Sequence, residues 1–312
     1  MSFQWEGIFP ALITPFSAGD ELDLKMFEHL LKGQTEAGID GIILGGSLGE
    51  ASVLTGAEKE KLVKFALEKL EGKLPVVLNI AEGSTREAIQ QAEKAGQWGA
   101  DGLMLLPPMR YKADHRETVT YFREIASATN LPIMLYNNPV DYKIEITPDM
   151  FEELTICNNI QAVKESSRDV TNVTRMINRF ADRFSILCGV DTIAMEEIFM
   201  GANGWVAGLV NAFPQETVML YELIKQGRLE EAKKLNRWFM PLLELDIHPK
   251  LVQYIKLAQS ITGLGTEFVR PPRLTLIGEE REAILQIIND SIGSHPVMPS
   301  LDKKEKRFSK SL

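Results

Sequence analysis

The stretch IQAVKESSRDV, residues 160–170, runs apolar through Ile160, Ala162 and Val163 and then sets Lys164 ahead of Glu165, Ser166 and Ser167. A second apolar run, PIMLYNN at 132–138, carries Tyr136 close to its end. Residues two apart on a strand share a face, so Ala162, Lys164 and Ser166 point one way. Met134 and Tyr136 do the same on the neighbouring strand. An amine held in a low-dielectric pocket has its pKa drawn down from about 10.4, which makes it a nucleophile near neutrality. A tyrosine hydroxyl beside it can carry the protons that Schiff-base formation requires. The plainer reading of Lys164 is an ion pair with Glu165 or with a carboxylate from a loop, since lysines are rarely buried unless paired. Other strand ends offer Ser47 and Glu50 in GGSLGE, Arg110 and Tyr111 in PPMRY, and Asp191 in CGVD. His29, His115, His248 and His295 are scattered and lack metal-ligand spacing, so no metal site is expected. No P-loop and no Gly-x-Ser-x-Gly elbow competes with the lysine.

Such residues must be presented by strand ends, and the chain contains eight apolar runs of strand length. They are 7–14, 41–46, 75–81, 102–107, 132–138, 160–166, 184–190 and 204–210. Helical patterns such as LKMFEHLLKGQTEAG and TREAIQQAEKAGQWG separate most of them. Continuous apolar strands alternating with helices imply a parallel sheet covered on both faces. Eight such units within about 210 residues predict a (β/α)8 TIM barrel, whose chemistry sits at the C-terminal strand ends. A doubly wound sheet would have fewer strands and a glycine-rich turn after the first, which ITPFSAGDELD does not offer. EAGIDGIILGG and QWGADGLMLLP both read Gly-x-Asp-Gly before an apolar run, with GANGWVAGLV as a looser third copy, as repeated units would give. YELIKQGRLEEAKKLNRWFMPLLELD, PKLVQYIKLAQSITG and REAILQIINDSI then read as amphipathic helices of a C-terminal helical extension. The expected division is a catalytic barrel at 1–225, a helical segment at 226–298 and a polar, basic, disordered tail at 299–312.

The 312 residues, 45% of them hydrophobic, suffice for one large core. The formal charge of −9 argues against a nucleic-acid binder. Two cysteines, Cys157 and Cys188, build no disulfide framework and fit a reducing cytosol. The N-terminus shows no signal-peptide pattern, and no apolar run approaches the roughly 18 residues of a membrane span. The expectation is a cytoplasmic protein with a small-molecule substrate and neither nucleic acid nor membrane as a partner.

GGSLGE, LYNNP and VKESS together, in this order and spacing, resemble the Schiff-base aldolase superfamily that includes dihydrodipicolinate synthase and N-acetylneuraminate lyase; the likeness spans about residues 5 to 290. The resemblance implies that Lys164 forms an imine with a 2-oxo acid and that Tyr136 relays protons. It implies that the loop at Ser47 and Leu48 holds the substrate carboxylate through backbone N–H groups and a hydroxyl, with Gly49 and Glu50 following. Gly46, Asn138, Gly189, Asp191, Val206 and Arg110 complete the expected substrate-binding set. Asp191 is read either as a partner for a substrate hydroxyl or as a structural helix N-cap. No cofactor is implied, since the Schiff base is the electron sink, and a homo-oligomer, tetramer or dimer, is.

Three positions depart from the synthase pattern. Asp141 stands where synthases carry an arginine for the second substrate's carboxylate, Arg110 where they carry a relay tyrosine from a neighbouring subunit, and Leu48 where they carry a hydroxyl residue. GWVAGL, AFPQET, WFMPLLELD and KLVQYIKL extend a closer likeness to the 1-pyrroline-4-hydroxy-2-carboxylate deaminases of hydroxyproline breakdown. That resemblance implies release of ammonia and 2,5-dioxopentanoate. The alternatives are dihydrodipicolinate synthase, another pyruvate-dependent lysine aldolase, or a non-catalytic ligand binder on the same barrel.

Overall fold

The structure, a computed structural model, describes residues 4–108 and 111–301. Arg110 and the tail from residue 302 onward lie outside the described residues. All eight apolar runs form strands: β1 Gly7–Pro10, β2 Ile42–Leu44, β3 Val76–Ile80, β4 Gly102–Leu105, β5 Ile133–Asn137, β6 Ile160–Glu165, β7 Ser185–Cys188 and β8 Gly204–Ala207. They pair in parallel around one sheet in the order β1-β8-β7-β6-β5-β4-β3-β2. Between β2 and β1 the ring is drawn together by a bridge of Ala11 with Ile43, where Leu12 N–H donates to the Ile43 carbonyl at 2.9 Å. This is the expected (β/α)8 barrel.

Around the strands run α1 Leu24–Ala37, α2 Gly56–Leu70, α3 Thr85–Trp98, α4 His115–Ser127, α5 Pro139–Tyr142, α6 Pro148–Leu154, α7 Thr171–Phe180, α8 Ala194–Phe199 and α9 Pro214–Lys225. After them come α10 Leu229–Leu243, α11 Leu251–Thr262 and α12 Gly278–Gly293. The pattern over 221–246 does not form one helix. Gly227 adopts φ +72° and the chain turns there before α10 begins.

The repeated Gly-x-Asp-Gly signature has a physical cause. Gly38 and Gly99 end α1 and α3 in the left-handed conformation that a residue with a Cβ adopts at a cost. Two residues on, Asp40 accepts from Ile8 N–H and Asp101 from Val76 N–H, each at 2.8 Å. In the looser third copy Asn203 accepts from Ile186 N–H at 2.8 Å. Each side chain satisfies the N–H at or next to the start of the preceding odd-numbered strand, β1, β3 or β7. The repeat is therefore a device that closes the floor of the barrel, opposite its mouth.

The C-terminal helices are tied to the barrel through a buried cation. Lys256 on α11 is 1% exposed and donates to Glu50 Oε1 at 2.6 Å, the Thr14 carbonyl at 2.9 Å and the Phe268 carbonyl at 2.7 Å. Removing one partner of a buried pair leaves an uncompensated charge, which typically costs about 3–5 kcal/mol. Lys256→Met should therefore lower unfolding stability by about that amount in denaturant titrations. A loss below about 1 kcal/mol would show that the Arg270 N–H and the Arg273 guanidinium, 3.1 Å and 3.7 Å from Glu50 Oε2, suffice to hold the carboxylate.

Candidate active site

Lys164 lies on β6, in register with Tyr136 on β5 and Leu187 on β7. Its side chain enters the barrel mouth and its Nζ sits 4.1 Å from the centroid of the Tyr136 ring. The passage is opened by Gly189. A Cβ there would lie 2.7 Å from Lys164 Cγ and Cε and 2.1 Å from Ser166 Oγ, so a larger residue would displace the lysine. Burial pushes the Lys164 amine below its ordinary value, while the nearby Tyr142, Asp246 and Asp191 act in the opposite direction. Among the described residues the ion pair of the plainer reading is not made. Glu165 faces the other way and accepts from Asn137 Nδ2 at 3.0 Å, Asn172 Nδ2 at 2.7 Å and Ser167 N–H at 2.7 Å.

The Tyr136 hydroxyl accepts from Asn138 Nδ2 at 3.2 Å, which leaves its own hydrogen available to another acceptor. The Asn138 amide is oriented by Asp141, whose N–H donates to Asn138 Oδ1 at 3.1 Å and whose Oδ2 accepts from Asn138 Nδ2 at 2.7 Å. Burial pushes the Tyr136 phenol up to about 12, against hydrogen bonding from Asn138 and Ser166. It therefore holds its proton through the neutral range and can supply it.

The loop after β2 faces this pair across the pocket. Gly46, Ser47 and Leu48 line the cavity, and Ser47 Oγ is 2.8 Å from the Tyr142 hydroxyl. Tyr142 in turn sets its ring edge-on to Tyr136, with 5.5 Å between centroids. The loop is held from behind: Asn79 Nδ2 donates to the Gly45 carbonyl at 2.9 Å and Thr14 Oγ1 to the Gly49 carbonyl at 2.7 Å. Position 49 needs glycine, because a Cβ would lie 2.8 Å from the Leu12 carbonyl oxygen. Among the described residues, the Ser47 and Leu48 N–H groups have no protein acceptor. Two such donors beside a hydroxyl suit a carboxylate.

The pocket thus brings together Lys164, Tyr136, Ser47, Gly46, Leu48, Asn138, Gly189 and Val206. Two candidate residues behave otherwise. Asp191 lies behind the wall and is not among the described lining residues. Its Oδ1 accepts from Trp205 Nε1 at 2.8 Å and Gly208 N–H at 3.1 Å, and its Oδ2 from Leu209 N–H at 2.7 Å and Gly208 N–H at 3.2 Å. It makes no N-cap bond to the short helix that it begins; it staples the β7 end to the turn after β8. Glu50 has φ +57°, which turns its side chain away from the mouth and toward Lys256. Sequence reasoning passed over Tyr142, Ser166 and Asp246 as members of the lining. Ser166 was legible from the alternation on β6, and Tyr142 lies three residues beyond the LYNNP motif. Asp246 ends the quoted WFMPLLELD, but nothing local marks a residue in a turn after α10 as belonging to the barrel mouth.

The model of the dihydrodipicolinate synthetase family matches residues 4–291. The chain belongs to that family. It is an enzyme of it, and the family's members are lysine Schiff-base lyases. A 4-hydroxy-tetrahydrodipicolinate synthase from Exiguobacterium sibiricum is 34% identical over 276 residues, which cover 88% of this chain and 92% of that protein. One from Methanopyrus kandleri is 31% identical over 303 residues, 96% and 99% of the two chains. The dihydrodipicolinate synthase structure from Aquifex aeolicus superposes with a TM-score of 0.87 at 26% identity, covering 92% of this chain and 98% of its own. No helix among the described residues is long and apolar enough to cross a membrane.

Proposed function

We propose that Lys164 forms a Schiff base with a 2-oxo acid or its cyclic imine, and that the substrate is 1-pyrroline-4-hydroxy-2-carboxylate. The observation that carries the reading is the character of the pocket opposite the lysine. Beside Arg168 its lining holds two carboxylates, Asp141 and Asp246, and Asp141 stands where a synthase of this family uses an arginine for a second carboxylate. The carboxylate of a second substrate would be repelled there, and a hydroxyl would be accepted.

In this reading the substrate carboxylate lies on the Ser47 and Leu48 N–H groups and the Lys164 amine attacks C2. The C2–N bond of the ring breaks and the nitrogen leaves as a primary amine on C5, with Tyr136 supplying its proton. Loss of a C3 proton into the imine and departure of the C4 hydroxyl as water follow. Tautomerisation makes a C5 imine, whose hydrolysis releases ammonia, and hydrolysis of the lysine imine frees 2,5-dioxopentanoate. One water is consumed overall. A homo-oligomer, tetramer or dimer, belongs to the same proposal.

A second reading, 4-hydroxy-tetrahydrodipicolinate synthase, is favoured by the names of the curated relatives. It is also favoured by Arg168, an exposed cation on the pocket rim that could receive a carboxylate. Both reactions can be run on one preparation. We expect ammonia release from the hydroxypyrroline carboxylate and at least about a hundredfold lower kcat/KM for condensation of pyruvate with aspartate semialdehyde, a difference of about 2.7 kcal/mol. Efficient condensation without ammonia release would replace the first reading by the second.

A further inference from the structure

Asp246 belongs to the short turn Glu244–Ile247 between α10 and α11, yet it lines the same pocket as Lys164 and Tyr136. The turn reaches the mouth because position 208, after β8, is glycine. A Cβ on Gly208 would fall 1.9 Å from Asp246 Oδ1 and 2.7 Å from its Cγ. The neighbouring Asp191 has spent its oxygens on Trp205, Gly208 and Leu209. Asp246 is different: among the described residues no donor is hydrogen-bonded to either of its oxygens, although it is more than half removed from solvent. A carboxyl group placed there without a partner is free to receive one from a ligand.

The ring order indicates which part of a ligand would meet it. A 2-oxo acid held with its carboxylate on the loop after β2 and its C2 on Lys164 of β6 spans the barrel between opposite strands. The rest of its chain must then turn toward β4 or toward β8. On the β4 side the strand contributes the thioether of Met104; on the β8 side the cavity opens on Gly208 and Asp246. On that side the Asp246 carboxylate is an acceptor with no protein donor among the described residues, whereas Asp141, after β5, is engaged by Asn138 Nδ2.

We infer that Asp246 is a specificity-determining residue that accepts a hydrogen bond from a hydroxyl on the chain of a 2-oxo acid held on Lys164. The inference rests on the Schiff-base reading of Lys164 and adds the distal half of the substrate to it. Burial and the Asp191 carboxylate push the Asp246 carboxyl above its ordinary value, with Lys164 and Arg168 opposing them. In either protonation state one oxygen remains an acceptor.

The test compares two probes on the same protein, 4-hydroxy-2-oxopentanoate and 2-oxopentanoate. Each is trapped on Lys164 with cyanoborohydride and followed by intact mass, and the ratio of their half-saturating concentrations is read. Because the readout is a ratio within one sample, a general loss of folded enzyme cancels. The wild type should favour the hydroxy acid by about tenfold or more, the usual worth of a hydrogen bond to a charged group. Asp246→Ala should bring the ratio to within about threefold of one. Gly208→Ala, which crowds the carboxylate without removing it, should lower the ratio as well. A wild-type ratio near one, or a ratio unchanged in Asp246→Ala, overturns the inference and leaves the Schiff base standing. Absence of any adduct overturns the Schiff base and the inference with it. A preserved ratio without ammonia release sinks the deaminase reading alone.

Discussion

Lys164→Ala should abolish trapping of a 2-oxo acid by cyanoborohydride and lower turnover by more than about 10⁴-fold, since it removes the only step that turns the carbonyl into an electron sink. The variant should fold. The alanine leaves a buried amine out of the core, and an unpaired buried amine is itself costly. The mass of the adduct on the wild type must map to the peptide that contains residue 164; an adduct that persists in the variant, or maps elsewhere, removes Lys164 from the mechanism. The pH dependence carries a sign. The neutral amine is the nucleophile, and burial disfavours the charged form. Lowering the pKa leaves more neutral amine at any given pH, so the rising limb of the trapping rate should lie below the ordinary lysine value of about 10.4. A limb at that value or above it would mean that Tyr142, Asp246 and Asp191, which pull the other way, outweigh burial.

The strands were legible because a parallel barrel buries both faces of each, so the sequence carries continuous apolar runs between glycine and aspartate. The lysine and the tyrosine were legible for the same reason: a polar residue at the C-terminal end of such a run, on the face that alternation turns inward, faces the mouth. The limits of that reasoning are physical. Asp191 also ends a strand, but its direction is set by three donors from β8 and the turn beyond it, contacts made across a strand boundary that no local pattern encodes. Glu50 ends one too, and a left-handed backbone turns it toward a lysine 206 positions away in the chain. Asp246 enters the pocket from the C-terminal segment because position 208 has no Cβ, a steric permission that only the folded chain displays. Alternation therefore reports what a strand presents, and long-range hydrogen bonding decides what reaches the ligand.

Tyr136→Phe should lower kcat by about 10²–10⁴-fold, the range of a positioned acid–base group. The substitution isolates the hydroxyl. The ring that lies 4.1 Å from Lys164 Nζ and edge-on to Tyr142 is retained, and Asn138 Nδ2 keeps its bond to Asp141 when the phenol oxygen is gone. The deletion should therefore act on kcat more than on KM, because the carboxylate cradle at Ser47 and Leu48 is untouched. Asn138→Ala makes a complementary probe. It withdraws a donor from the phenol oxygen and so should push the Tyr136 hydroxyl, already raised to about 12, further up. A weaker acid donates less readily, so the variant should slow proton delivery while leaving the hydroxyl in place, with a smaller loss than Tyr136→Phe. The two variants thus order the contributions: a Tyr136→Phe enzyme within about threefold of wild type would show a tyrosine that only packs, while a full loss in both would show a phenol whose geometry depends on Asn138 and Asp141 together.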